Sequence, residues 1–141
     1  MVLKAAVIGL GVGEQHIYGY EQGNKCEVVS ICDTNHEKLK EVALRHPGKK
    51  TFTDPEKILF DESIDVVSIA TYDDSHYKLI EKSIKNGKHI FVEKPLCLTT
   101  KEYNCICDLL RANPHIKVSS NLILRKSPRF INLKRKVDEG I

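Results

Sequence analysis

The chain is short of several things, and each shortage excludes a class. It has 141 residues with no tryptophan, one methionine and only 6% aromatic side chains. No apolar run approaches the roughly 18 residues that a membrane-spanning helix needs, so no membrane partner is expected. Met1-Val2-Leu3-Lys4 runs into a short apolar stretch broken by glycines, without an Ala-x-Ala site, so no secretory signal is expected either. Neither charge sign dominates: 22 Lys and Arg face 19 Asp and Glu, a net +3 that is too mild to argue for nucleic acid. The 5 cysteines are odd in number and form no Cys-x-x-Cys pair. That excludes a disulfide framework or zinc site and predicts free thiols in a reducing, cytoplasmic compartment. The histidines lack a second ligand at metal-binding spacing, so no metal is expected, and His16 reads as structural or solvated. Repeats and low-complexity segments are also missing. What remains is 41% apolar and 29% charged, an ordinary globular composition of one-domain size.

Short β-branched runs alternate with amphipathic stretches. Leu3–Ile8, Glu27–Cys32, Lys50–Thr53, Asp65–Ala70, His89–Val92 and Ile116–Ser120 read as strands. Helices are predicted over Val12–Gln22, His36–Arg45, from Asp54-Pro55 onward, over Ser75–Lys85, and from the capping box Thr99-Thr100-Lys101-Glu102. Tyr103, Ile106 and Leu110 are expected to form the buried face of that last helix. Such alternation predicts an α/β fold: a doubly wound, mostly parallel six-stranded sheet with helices on both faces. Ligands bind such sheets at the carboxyl ends of the strands. Residues 125–136 carry six basic and no acidic side chains. They read as a solvated linker or helix, with a polyanion-binding patch as the alternative.

Four of the predicted strand ends carry chemistry. Gly9-Leu10-Gly11-Val12-Gly13 follows the first strand, where glycines permit a tight turn and let a backbone approach a pyrophosphate at a helix N-terminus. Position 14 is Glu instead of the usual small residue, so Gly13 must pack the helix one residue early. Asp33 ends the second strand, with Thr34 next to it. A carboxylate there accepts from a ribose hydroxyl and repels a 2′-phosphate, which favours NAD over NADP; the plainer reading is a turn cap. Thr71 and Tyr72 follow the fourth strand and could pack beside a nicotinamide, with His76 opening the next helix; helix capping by Asp73, Asp74 or Ser75, with His76 merely packed, would explain them equally. Glu93-Lys94-Pro95 follows the fifth strand. Lys94 can donate to a hydroxyl or transfer a proton, Glu93 either orients it or touches the cofactor, and a surface turn is the alternative.

In combination these motifs resemble the glucose-fructose oxidoreductase / inositol dehydrogenase (Gfo/Idh/MocA) family of NAD(P)-dependent oxidoreductases. The resemblance runs through GLGVGEQH with His16, Asp33, Ala70-Thr71 with His76, Gly87-Lys88-His89 running into Val92-Glu93-Lys94-Pro95, and Asn121 with Ser127-Pro128-Arg129-Phe130. Tyr72-Asp73 departs from the commoner Pro-Asn. The resemblance implies a Rossmann domain over 1–121 and a crossing segment over 122–141 that leads to a substrate domain the chain lacks. It implies that Lys94 is catalytic and that Gly9, Leu10, Gly11, Val12, Gly13, Asp33, Thr34, Ala70, Thr71, Tyr72, His76, Glu93, Lys94 and Asn121 bind the cofactor. The implied reaction passes hydride between nicotinamide and a hydroxyl-bearing sugar, cyclitol or sugar nucleotide in a homo-oligomeric parent enzyme. The fragment alone is expected to bind cofactor and turn over little. A dinucleotide-sensing module without catalysis is the alternative, and a CoA- or nucleic-acid-binding domain is a third.

Overall fold

The apolar runs pair as the alternation predicts. A computed structural model describes residues 2–141. The elements run β1 (Leu3–Ile8), α1 (Glu14–Glu21), β2 (Cys26–Cys32), α2 (His36–Arg45), β3 (Lys50–Phe52), α3 (Glu56–Leu59), β4 (Val66–Ile69), α4 (Asp73–Lys85), β5 (His89–Val92), α5 (Thr100–Ala112), β6 (Val118–Ser120) and α6 (Pro128–Asp138). The six strands form one sheet in the order β3-β2-β1-β4-β5-β6, and every neighbouring pair is parallel. The order reverses between β1 and β4, which opens a crevice at their carboxyl ends.

Burial on both faces explains why the central strands lack polar alternation. In β1, Ala6 and Ile8 face one core with Val67, Ile69, Ile90 and Val92, while Ala5 and Val7 face another with Val28 and Ile31. Leu79, Ile80 and Ile84 of α4, Ile106 of α5, and Ile58 and Leu59 of α3 cover the first face. Ile17 of α1 and Leu39 and Val42 of α2 cover the second. Each fully buried aliphatic side chain contributes about 1.5–3 kcal/mol relative to exposure.

Local chemistry sets the helix ends. The Asn35 side chain accepts from the Glu37 and Lys38 N–H groups, and both halves of the Thr99–Glu102 capping box are formed. Some boundaries differ from expectation. Helix α1 begins at Glu14, because residues 11–13 are spent on the turn. Helix α4 begins two residues early, at Asp73, and α3 is a single turn. Tyr103 is 52% exposed, and Leu109 packs with Ile106 and Leu110 instead.

Beyond β6 the character changes. Neither the 3-10 turn Ile123–Lys126 nor α6 buries any residue. Among the described residues all five cysteines are free, and burial pushes the Cys32 thiol up to about 12. No helix among the described residues is long and apolar enough to cross a membrane, and no three His, Cys, Asp or Glu side chains gather as metal ligands.

Candidate functional site

The glycine loop is built around contacts that a side chain would destroy. Gly9 has φ +87°, and a Cβ there would meet the Ala70 carbonyl oxygen at 2.4 Å. At Gly13 a Cβ would lie 1.9 Å from the Gly9 carbonyl oxygen and 2.9 Å from the Ala70 Cβ. Gly13 therefore takes the helix-packing role, and Ala70 forms the floor beneath the loop. Above Gly11 there is open space for 4 Å. The N–H groups of Gly11, Val12, Gly13 and Glu14 have no acceptor among the described residues. Open backbone plus free donors at a helix start suits a pyrophosphate.

Glu14 does not obstruct that space. Its carboxylate is drawn toward the end of α2, where Arg45 donates Nε to Oε1 at 2.7 Å and a second N–H to Oε2 at 2.9 Å. His46 Nε2 lies 3.2 Å from the same Oε1. The Arg45 hydrogen bond is the main cause holding Glu14 below its ordinary carboxylate range, against the opposing effect of burial.

Asp33 is wired into the loop. The Leu10 N–H donates to its Oδ2 and the Asn35 N–H to its Oδ1, each at 2.8 Å. The turn-capping alternative and the ribose-binding one are thus compatible, because each carboxylate oxygen accepts more than one bond. Leu10 corrects the expectation of a cofactor contact: its side chain is wholly buried in the core, and its N–H is taken by Asp33. Thr34 and Val12 are exposed at the crevice rim.

Across the crevice, Thr71 Oγ1 and Ser75 Oγ are hydrogen-bonded at 2.6 Å, and Tyr72 is 89% exposed. The Lys94–Pro95 peptide is cis, and Lys94 is exposed. Its ammonium has no hydrogen-bond or ion-pair partner among the described residues, so its three donors are free.

Glu93 is the anchored member of this turn. His16 Nε2 lies 3.0 Å from its Oε1, Asn121 Nδ2 donates to the same oxygen at 2.7 Å, and the Lys94 N–H donates to Oε2 at 3.3 Å. Burial raises the Glu93 pKa, but the Asn121 and His16 hydrogen bonds together outweigh it and hold the group below its ordinary range. Glu93 and Asn121 chiefly orient the turn, instead of presenting free groups to a ligand. His16 was read as structural or solvated; it is buried, with Nδ1 2.7 Å from Ser68 Oγ and its ring edge against Phe91. A carboxylate only accepts, so Nε2 donates to Glu93, and in the neutral ring Ser68 donates to Nδ1. Ser68 was missed, since it lies inside the apolar run of β4. For His76 the geometry agrees with the packed alternative: its ring is fully buried, and both nitrogens face backbone carbonyls.

Comparison with known proteins agrees with this geometry. The profile of an oxidoreductase family with an NAD-binding Rossmann fold, Gfo/Idh/MocA, matches residues 3–121. The chain is 32% identical over 145 residues to the inositol 2-dehydrogenase/D-chiro-inositol 3-dehydrogenase of Lacticaseibacillus casei, covering 100% of this chain and 42% of that protein. It is 31% identical to the NAD(+)-dependent scyllo-inositol 2-dehydrogenase of Bacillus subtilis, covering 98% and 41%. The crystal structure of myo-inositol dehydrogenase from Lactobacillus casei with NAD(H) and myo-inositol superposes with a TM-score of 0.86 at 30% identity, covering 100% and 42%. The chain thus spans about two fifths of the length of the relatives it matches.

Proposed function

The chain belongs to the Gfo/Idh/MocA oxidoreductase family with its NAD-binding Rossmann fold, and from that membership we propose that it is the cofactor-binding part of a dehydrogenase acting on a hydroxyl-bearing cyclitol or sugar. One observation carries the reading: free loop N–H groups, the Asp33 carboxylate and the unpartnered Lys94 ammonium line one edge of one sheet. In this reading Gly11, Val12, Gly13 and Glu14 offer backbone donors to the pyrophosphate. Asp33 accepts from the adenosine ribose and disfavours a 2′-phosphate. Thr71 and Tyr72 flank the nicotinamide. NAD, when bound, supplies the hydride acceptor. Lys94 donates to the nicotinamide side of the cofactor and to the substrate hydroxyl, and takes part in moving the hydroxyl proton. The substrate is held by parts of the parent protein outside this sheet, and the parent works as a homo-oligomer without nucleic acid or membrane partners. A free ammonium in the crevice favours the dehydrogenase over a pure sensor, which has no use for it.

Calorimetric titration with NADH and NADPH tests the reading. The expected result is tighter binding of NADH, weakened about tenfold by Asp33→Ala, as the loss of one charge-assisted hydrogen bond implies. Binding of neither nucleotide, or tighter binding of NADPH, overturns the assignment.

A further inference from the structure

His76 is the fourth residue of α4 and sits on the helix face that also buries Leu79, Ile80, Ser83 and Ile84. Among the buried residues of α4 it is the one titratable group, and it is 0% exposed. Its Nδ1 lies 2.7 Å from the Pro95 carbonyl oxygen, and its Nε2 lies 3.1 Å from the Thr71 carbonyl oxygen. A carbonyl only accepts, so each bond needs a proton on the ring nitrogen that faces it. The two carbonyls belong to different loops. One follows β4 and carries Thr71 and Tyr72; the other follows β5 and carries Lys94. The ring is therefore a cross-tie between the two walls of the crevice.

The tie acts on a turn that is already held from the other side. Glu93, immediately before Lys94, is gripped by His16 and Asn121. Pro95, immediately after it, is gripped by His76. Within the turn only the Lys94 side chain has no partner among the described residues. A long side chain with many rotamers gains placement chiefly from a backbone fixed on both sides, and an error of about 1 Å in such placement is costly to catalysis.

We infer that His76 is a positioning residue, tying the Glu93-Lys94-Pro95 turn to Thr71 and so setting where the Lys94 ammonium reaches. The inference rests on the proposed dehydrogenase reading for its purpose, but not for its geometry.

Two measurements on this chain test it. The first needs neither variant nor cofactor: the side-chain ¹⁵N spectrum of the histidines should show both ring nitrogens of His76 protonated, since both bonds together need the imidazolium. An unprotonated Nδ1 leaves Pro95 untied, an unprotonated Nε2 leaves Thr71 untied, and either overturns the inference. The second is a double-mutant cycle on NADH affinity, with the fold checked by circular dichroism. His76→Ala and Lys94→Ala should each weaken NADH, by about tenfold on the scale of one charge-assisted hydrogen bond. The double variant should lose no more than Lys94→Ala alone, because one residue works through the other. His76→Gln keeps an amide donor and should recover much of the loss; His76→Leu, which fills the space without a donor, carries the cycle if His76→Ala does not fold. Multiplicative losses, or unchanged affinity in a folded variant, overturn the inference. A wild-type chain that binds no NADH overturns the proposed function, and the ring spectrum still decides the tie.

Discussion

Lysines flank both ends of β5, and the fold uses them in opposite ways. Lys88 lies at the amino edge of the sheet and is 4% exposed. Its ammonium donates to the Asp61 carbonyl at 2.7 Å and the Ile64 carbonyl at 2.9 Å, pinning the loop between α3 and β4. Lys94 lies at the carboxyl edge, exposed and unpartnered among the described residues. The sheet thus spends one lysine on closing a loop and keeps the other for a ligand. The same division holds for backbone donors: the Leu3 N–H at the amino edge is paired with the Lys25 carbonyl, whereas the loop after β1 leaves its N–H groups open. The sheet thus keeps its open groups at the ligand edge, while Lys88 and the Leu3 N–H at the amino edge are bonded within the fold.

The sharpest way to break this comparison is to remove the buried lysine. Lys88→Met keeps the aliphatic stem and deletes the charge, which leaves the buried Ile64 carbonyl without a donor and the Asp61 carbonyl with only the Ile64 N–H. An orphaned buried acceptor costs about 1–3 kcal/mol, partly offset by no longer burying an ammonium. The expected loss is about 1–3 kcal/mol in urea denaturation, with NADH affinity unchanged while the protein is folded. A stability change below about 0.5 kcal/mol, the ordinary range for a surface site, would mean that Lys88 does not pin the loop.

A second effect is smaller and depends on pH. Burial pushes the Lys88 pKa below its ordinary 10.5, against the pull of Asp61, Asp65 and Glu62. The folded state therefore releases this proton at lower pH than the unfolded chain. Between the lowered value and 10.5 the unfolded chain binds more protons, so this group adds stability as pH rises through that window. Tyr20 works the other way above pH 10, because burial raises it to about 12. The stability of wild type minus that of Lys88→Met isolates the lysine. The difference should grow with rising pH just below 10.5, and a difference that shrinks there would reverse the assigned direction.

The motif Gly87-Lys88-His89 running into Glu93-Lys94-Pro95 shows how far a sequence reading reaches. Periodicity places both lysines at the ends of one strand, because alternation and apolar runs are local signals. The capping box at Thr99 is local too, and it forms as read. The glycine loop, Asp33 and Lys94 share an edge because parallel topology leaves no other arrangement. What the pattern does not carry is the wiring. Glu14 finds Arg45 and His46, His16 finds Ser68 and Glu93, and His76 finds Pro95, all partners set by tertiary packing and not by spacing. For that reason Glu14 looked only like a departure from the usual small residue. For the same reason His76 looked like a ligand contact, although both of its nitrogens are committed to the protein. Two histidines on buried helix faces beside a glycine loop and a strand end were the available hint.

The smallest expected effect on the fold is at the lysine that matters most for the proposed chemistry. Lys94→Met removes no hydrogen bond and no ion pair among the described residues, and the side chain is exposed. Its stability should stay within about 0.5 kcal/mol of wild type. Set beside Lys88→Met, the pair forms a reversal: one variant loses stability and keeps nucleotide affinity, the other keeps stability and loses affinity. A substantial stability loss on Lys94→Met would show that its ammonium is bonded within the fold. The crevice would then lack its free cation, and the case for hydroxyl chemistry at this edge would fall with it.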